Sequence, residues 1–94
     1  MPDTYTITAF YKFVAIEESD LADRRGELQR AGFKFRLFGL TLVATEGVNG
    51  TIAGSAKGIR GFKEYVQQEY AEVVFKDSYA QDSPFTLWLV KIRD

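Results

Sequence analysis

Apolar and polar positions alternate along residues 4–14 with a period of two, which is typical of a β-strand with one apolar face. Two shorter alternating segments, residues 33–37 and 40–44, are out of phase with one another. A bulge at Gly39 would bring both apolar sets onto one core face, and glycine is suited to a bulge. The stronger apolar face of the first strand is predicted at Ile7, Ala9, Tyr11 and Phe13.

Two segments have the apolar spacing of an amphipathic helix. Leu21, Leu28 and Ala31 fall on one stripe of the first helix, which Gly32 is predicted to end. Ser55 is suited to cap the second helix. The buried stripe of that helix is predicted at Ile59, Phe62, Tyr65 and Val66.

The remaining segments complete a small α+β fold. Residues 73–75 are predicted to form a short strand, and residues 85–92 the last strand, with a polar loop at residues 77–84 that splits the final strand. The order strand, helix, strand, strand, helix, strand is that of the split βαβ, ferredoxin-like arrangement. This arrangement has an antiparallel sheet with two helices on one face. A chain of 94 residues is long enough for one such domain.

The most informative loop joins the two central strands, within residues 44–54. Its Asn49-Gly50 step is predicted to supply the positive-φ positions of a tight hairpin turn. Glu46 and Asn49 are candidate binding residues, because they can hydrogen-bond a uracil edge, a ribose hydroxyl or a neighbouring domain. The alternative is that Glu46 only accepts backbone N–H bonds that hold the loop. The structural turn residues are predicted to be Gly47, Gly50 and Gly54.

Three basic residues lie near the start of the second predicted helix. Lys57, Arg60 and Lys63 could receive a phosphate, together with the free N–H groups of the helix N-terminus. The segment is not a P-loop, because the Gly-Lys-Ser/Thr ending is missing. The same three residues also fit an ordinary solvated helix face, so both interpretations stay open.

The sheet face away from the helices is a further candidate site. The residues predicted to lie on it are Phe10, Lys12, Arg36, Phe38, Thr86 and Trp88. RNA-recognition modules stack bases on such a mixture of aromatic and basic residues, but their aromatic and glycine-rich motif is not present here. A docking surface for another domain is favoured, because an apolar patch of this kind seldom stays exposed.

Composition removes several classes of chemistry. The 94 residues include no cysteine and no histidine, which excludes disulfides, thiolate nucleophiles, imidazole bases and the usual zinc ligands. The net charge of −1 gives no general attraction to nucleic acid, so RNA binding would need a local basic patch. No signal peptide or membrane-spanning stretch is recognisable in the sequence, and a cytoplasmic location is expected.

Three segments, in this order and spacing, resemble a known family. They are residues 9–14 (AFYKFV), residues 46–51 (EGVNGT) with Ala53-Gly54 behind them, and residues 75–78 (FKDS) followed by Pro84-Phe85. Together they look like the N-terminal domain of the rhodanese-related tRNA uridine hydroxylases, and the resemblance covers nearly the whole chain. Members of that family usually carry Ile where this chain has Val48.

The resemblance implies an acylphosphatase-like ferredoxin fold. It also implies a parent enzyme that forms 5-hydroxyuridine at the tRNA wobble position, with molecular oxygen as co-substrate. The essential cysteine of that family lies in a rhodanese domain that follows this one. The resemblance therefore implies an accessory domain that binds no cofactor or metal and is inactive alone. Its expected partners are the anticodon region of tRNA and the rhodanese domain, and the abrupt end after a predicted strand suggests the N-terminal part of a longer protein.

Two other functions of this fold stay open as alternatives. A ligand-sensing regulatory module would pair its sheets edge to edge and form a concentration-dependent dimer. An acylphosphatase-type hydrolase would need a glycine-containing loop with an arginine after the first strand, to cradle a phosphate. Residues 15–20 are acidic and contain neither residue type, so the hydrolase is the less favoured alternative.

Overall fold

A computed structural model describes residues 4–93, which form five strands, two long helices and a short 3-10 turn. The strands and helices are β1 (Tyr5–Phe13), α1 (Leu21–Lys34), β2 (Phe38–Ala44), β3 (Gly47–Gly54), α2 (Ala56–Tyr70), β4 (Val74–Ala80) and β5 (Trp88–Ile92). The 3-10 turn, Glu18–Asp20, leads directly into α1. The predicted order of elements is confirmed, with one additional strand at the end.

All five strands belong to one mixed sheet, in the order β4-β1-β3-β2-β5. Neighbouring strands are antiparallel except β5, which runs parallel to β2. The polar loop predicted for residues 77–84 is wrong in its first half, because residues 77–80 pair with β1. The predicted final strand is therefore two strands on opposite edges of the sheet, joined by residues 81–87.

The helices cover the sheet face to which Phe10 points. Phe10 is 2% exposed, and its ring centre lies 5.5 Å from that of Phe62 in α2, edge to face. Trp88 of β5 is buried in the same core. The prediction that Phe10 and Trp88 lie on the open face is therefore wrong. Both faces of β1 carry large apolar side chains, so alternation alone does not distinguish the covered face from the open one.

Helix α1 continues past its predicted end. Gly32 lies inside the helix, which ends at Lys34, so Phe33 is an exposed helical residue and not a strand residue. The turn that follows is held by the Leu37 N–H, which donates to the Gly32 carbonyl oxygen at 2.8 Å. This turn brings the chain back into the sheet at β2.

Strand β2 pairs with β3 without interruption over all seven of its residues, so the bulge predicted at Gly39 does not form. Thr41 and Val43 are its fully buried side chains, whereas Leu40 and Leu42 lie on the other face. The apolar set predicted for the core, Leu40, Leu42 and Ala44, therefore lies on the open face. The predicted apolar face of β1, which includes Tyr11 and Phe13, is inverted in the same way. The covered face of the sheet is built largely from β-branched residues, and the longer leucine side chains lie on the open face.

Helix α2 begins and packs as predicted. The Ser55 Oγ accepts the Gly58 N–H at 2.9 Å, which satisfies one of the free donors at the helix start. Ile59, Phe62 and Val66 are each at most 2% exposed, and Tyr65 is half-buried beside them. Within residues 4–93, no helix has the length and apolar character needed to cross a membrane.

The indole of Trp88 ties β5 to α1. Its Nε1–H donates to the Gln29 carbonyl oxygen at 3.1 Å, and its ring centre lies 6.1 Å from that of Phe62. A Cβ atom at Gly32 would lie only 1.9 Å from the indole ring. Gly32 therefore occurs within the helix because the indole fills the space that any side chain would need.

We expect Gly32→Ala to destabilise the protein by about 1–3 kcal/mol, because the new methyl group must displace the buried indole. Gly26→Ala is the matched control in the same helix, since a Cβ atom there would meet only the end of the flexible Arg30 side chain, at 3.3 Å. The control is expected to gain up to about 1 kcal/mol from the higher helix propensity of alanine. Urea unfolding followed by circular dichroism measures both, and equal effects would contradict the packing role of Gly32.

Candidate functional site

The hairpin between β2 and β3 turns at Thr45 and Glu46, because Ala44 pairs directly with Gly47. The prediction that Asn49-Gly50 forms this turn is wrong. The positive φ angle falls at Gly47, with φ of +143°, and a Cβ atom there would lie 2.0 Å from the Lys12 carbonyl oxygen. Gly47 is thus needed directly after the turn, where β3 enters the sheet against β1.

Gly50 and Gly54 lie in β3 and not in a turn. A Cβ atom at Gly50 would lie 2.5 Å from the Leu40 carbonyl oxygen, so glycine permits the close approach of β2. Gly54 is the last residue of the strand, packed against the Leu37 side chain. β3 is therefore a central strand that is unusually rich in glycine.

The turn itself accepts hydrogen bonds through its backbone. The carbonyl oxygens of Thr45 and Glu46 accept the N–H groups of Ile16 and Val14, each at 3.0 Å. The alternative role of Glu46 is thus met by its carbonyl oxygen and not by its carboxylate, which is exposed. The same bonds occupy two amides of the segment after β1, where an acylphosphatase-type hydrolase would need a phosphate cradle.

A cavity of about 430 Å³ lies beside this turn, and we call it the Glu46 cavity. It brings together three of the candidate residues that sequence analysis selected, Lys12, Glu46 and Asn49. The other side chains in its wall that matter chemically are Tyr11, Phe13 and Arg93. The cavity thus combines a carboxylate, an amide and the Arg93 cation with an aromatic wall, which suits hydrogen bonding to a peptide backbone.

A second cavity, of about 590 Å³, lies between the end of α1 and the start of α2, and we call it the basic cavity. Among the described residues, four cationic ones line it, against one carboxylate, that of Glu64. These four residues are Lys34, Arg36, Lys57 and Arg60. Its excess of positive charge makes it a suitable site for an anion.

Sequence analysis selected three of these four cations and missed Lys34. Residues 33–37 alternate like a strand, but tertiary packing makes Lys34 the last residue of α1 and puts Arg36 in the turn behind it. Arg36 has a φ angle of +56°, which turns the chain toward β2. The extension of α1 therefore decides that Lys34 and Arg36 face the start of α2, where Lys57 and Arg60 lie.

Lys63 lies outside the basic cavity. Its ammonium group donates to the Asp77 carboxylate at 2.6 Å and lies 5.3 Å from the centre of the Phe75 ring. This ion pair joins α2 to β4, and the hydrogen bond from Lys63 lowers the pKa of Asp77. Lys63 therefore has a structural partner, which makes it a poor candidate for phosphate contact.

The open face of the sheet is strongly apolar, although its residues differ from those predicted. Tyr11 is 46% exposed, Phe13 78% and Leu89 41%. Of the predicted aromatic residues, only Phe38 lies on this side, half-buried. Arg36 lies in the basic cavity, and Thr86 is an exposed loop residue. The prediction that Lys12 lies on the open face is also wrong, because Lys12 alternates with Tyr11 and Phe13 and pairs with the buried Val48.

Comparison with known proteins places this arrangement in a family. A family model described as the UPF0176 acylphosphatase like domain matches residues 5–94. A tRNA uridine(34) hydroxylase from Deinococcus radiodurans is 36% identical over 93 residues, which are 98% of this chain and 30% of that protein. The enzyme of the same name from Sinorhizobium medicae is 35% identical over 94 residues, 98% of this chain and 29% of that protein. The chain thus spans about a third of the length of these relatives.

Solved structures confirm the predicted acylphosphatase-like ferredoxin fold. An acylphosphatase from Coxiella burnetii superposes with a TM-score of 0.64 at 13% identity, covering 97% of this chain and 94% of that one. The BLUF domain of BlrP1 superposes with a TM-score of 0.74 at 14% identity, covering 98% of this chain and 65% of that one. At such low identity these likenesses concern the fold alone.

We expect Gly47→Ala to destabilise the protein by about 1–3 kcal/mol, because its φ angle of +143° strains any residue with a Cβ atom. Asn49→Ala is expected to change stability by no more than about 0.5 kcal/mol, since Asn49 is an exposed strand residue and not the turn. Guanidinium unfolding of both variants tests this assignment. A larger loss from Asn49→Ala than from Gly47→Ala would contradict it.

The Asp77 carboxylate is expected to make the free energy of unfolding depend on pH. Lys63 lowers the pKa of Asp77 in the folded protein. The ionised Asp77 carboxylate therefore contributes to the free energy of unfolding at pH values above its unfolded-state pKa, near 4. That contribution, up to about 1 kcal/mol, is lost as the pH falls through the folded-state pKa. Unfolding at pH 7 and at pH 3 should therefore show a smaller acid-induced loss for Asp77→Asn. Lys63→Gln should remove the same part of the pH dependence, and full additivity of the two changes would argue against the pair.

Proposed function

Because this chain belongs to the UPF0176 acylphosphatase-like domain family, we propose that it is the accessory N-terminal domain of a tRNA uridine hydroxylase. The match over residues 5–94, with relatives named tRNA uridine(34) hydroxylase, is the observation that supports this function. In the proposed parent, a following rhodanese domain carries the essential cysteine. The parent forms 5-hydroxyuridine at the wobble position in the cytoplasm, with molecular oxygen as its co-substrate.

The proposed contribution of this domain to substrate binding is contact with the tRNA backbone near the anticodon, through the basic cavity. Its four cations come from two helices and the turn after α1, so they surround a concave surface. RNA presents a regular series of phosphates, and a local group of lysine and arginine side chains supplies most of the affinity for them. The one carboxylate among its described residues, Glu64, leaves the cavity positive even though the whole chain has a net charge of −1.

The surroundings of this cavity favour phosphate contact over base stacking. Its aromatic residue, Phe35, packs partly buried against the core. The Lys34 ammonium lies 5.4 Å from the centre of that ring, so the ring is not a free platform for a base. Contacts to phosphate fix the position of an RNA without reading its sequence. The proposed role is therefore to orient the tRNA, while the chemistry takes place in the remainder of the parent.

The test is tRNA binding by the full-length parent carrying Arg36→Gln and Arg60→Gln together. If both residues contact phosphates, the slope of log K against the logarithm of the salt concentration should become shallower by about 1.5. Each lost phosphate contact reduces the magnitude of this slope by about 0.7–0.9. Binding is measured at several salt concentrations, and the hydroxylation rate at saturating tRNA should stay near that of the wild type.

Lys63→Gln is the matched control, since Lys63 lies on the same helix but is paired with Asp77. It removes one positive charge, half of what the double variant removes, and is expected to leave the salt dependence nearly unchanged. An unchanged salt dependence in the double variant would contradict the proposed contact. A loss in the control that is equal per charge removed would show that the effect is one of general charge and not of this cavity.

A further inference from the structure

The exposed apolar side chains of the open face run from the end of β1 to the middle of the sheet. Tyr11 and Phe13 lie where β1 ends, with ring centres 5.5 Å apart, and Val74 at the start of β4 pairs with Tyr11. On the other side of β3, Leu40 and Leu89 are paired between β2 and β5 and are 36% and 41% exposed. An apolar surface of this kind on a small domain is typical of an interaction site.

The chain leaves the domain beside the end of β1. The Arg93 N–H donates to the Val43 carbonyl oxygen at 2.8 Å, so the polypeptide is still bound to β2 at its last described residue. The Arg93 side chain lines the Glu46 cavity together with Tyr11 and Phe13. Whatever follows in a longer protein therefore starts beside the aromatic end of the open face.

We propose that the open face is covered by an apolar segment of the parent protein that follows this chain, and that this segment enters through the Glu46 cavity. The occupant rests on the proposed function, in which a further domain follows. The relatives contain more than twice as much additional sequence as this chain matches, since it spans 30% and 29% of them. A tethered segment that starts at the site has an effective concentration in the millimolar range, which favours it over free partners.

The chemistry of the surface favours a protein over RNA as the occupant. Tyr11 and Phe13 provide exposed rings, but Leu40, Leu89 and Val74 beside them are aliphatic, and aliphatic side chains bury apolar surface without offering flat rings on which bases stack. The cations that suit phosphate lie in the basic cavity, near the opposite end of β3. The two surfaces therefore serve different partners.

The polar groups of the Glu46 cavity form the rim of this interface. Asn49 projects from the central strand between Tyr11 and Leu42, and its amide can both donate to and accept from a peptide backbone. Glu46 and Arg93 provide opposite charges at the same rim. This arrangement, an apolar centre with a polar edge, is that of an ordinary protein interface.

The absence of cysteine from this chain allows a direct test of coverage. Phe13→Cys and Leu89→Cys are introduced singly, both in the 94-residue chain and in the full-length parent. The matched control is Phe33→Cys, on the helical side of the domain, because Phe33 is 65% exposed and Phe13 78%. Alkylation of each thiol is followed by peptide mass spectrometry, which separates it from any cysteine elsewhere in the parent, and circular dichroism confirms that each variant is folded.

The two open-face thiols are expected to be alkylated rapidly in the 94-residue chain and at least about tenfold more slowly in the RNA-free parent. The alkylation rate of the control thiol should be the same in both proteins. Equal open-face rates in both proteins would overturn the proposal. Protection that appears only after tRNA is added would assign the face to RNA, and protection in the 94-residue chain that grows with concentration would assign it to a second copy. Since no tRNA and no activity are needed, a failure here is distinct from a failure of the proposed function.

Discussion

The packing of the Trp88 indole against Gly32 is the contact on which the arrangement of this domain depends. It fixes α1 over the edge of the sheet and places β5 beside β2, with Val90 buried and Leu89 exposed. A second tie supports it, because the Arg25 Nε–H donates to the Val90 carbonyl oxygen at 2.7 Å. Since β5 runs parallel to β2, these contacts also decide that the chain leaves the domain beside the β2–β3 turn.

One consequence is that the sheet has two apolar faces with different roles. The face around Phe10 is filled by the helices of the chain itself, whereas Tyr11 and Phe13 on the other face are left exposed. The helices also create the basic cavity where α1 ends and α2 begins. This cavity lies near the end of β3 that is farther from the β2–β3 turn. A small domain thus presents an apolar surface and a cationic surface in separate places, which suits a module that lies between a larger protein and an RNA.

The sequence predicted the elements better than it predicted their orientation. The Ser55 cap, the buried stripe around Phe62 and the order of strands and helices are confirmed, because they depend on local patterns and on the period of the helix. The predicted turn at Asn49-Gly50 is wrong, because Gly47 serves the hairpin two residues earlier. The sequence pattern did not indicate Lys34 as a site residue, because tertiary packing extends α1 through residues whose alternation favours a strand.

The amino-acid sequence by itself determined the fold class and the residue types available for chemistry, since hydrophobic period, capping and composition are properties of the chain. Only the tertiary structure decided which face of the sheet is covered and which side chains meet. Alternation in a strand defines two faces but does not distinguish them when both are apolar, as at Phe10 and Tyr11. The grouping of Lys34 and Arg36 with Lys57 and Arg60 likewise depends on how α1 and α2 lie against one another, which is set by packing between residues distant in sequence.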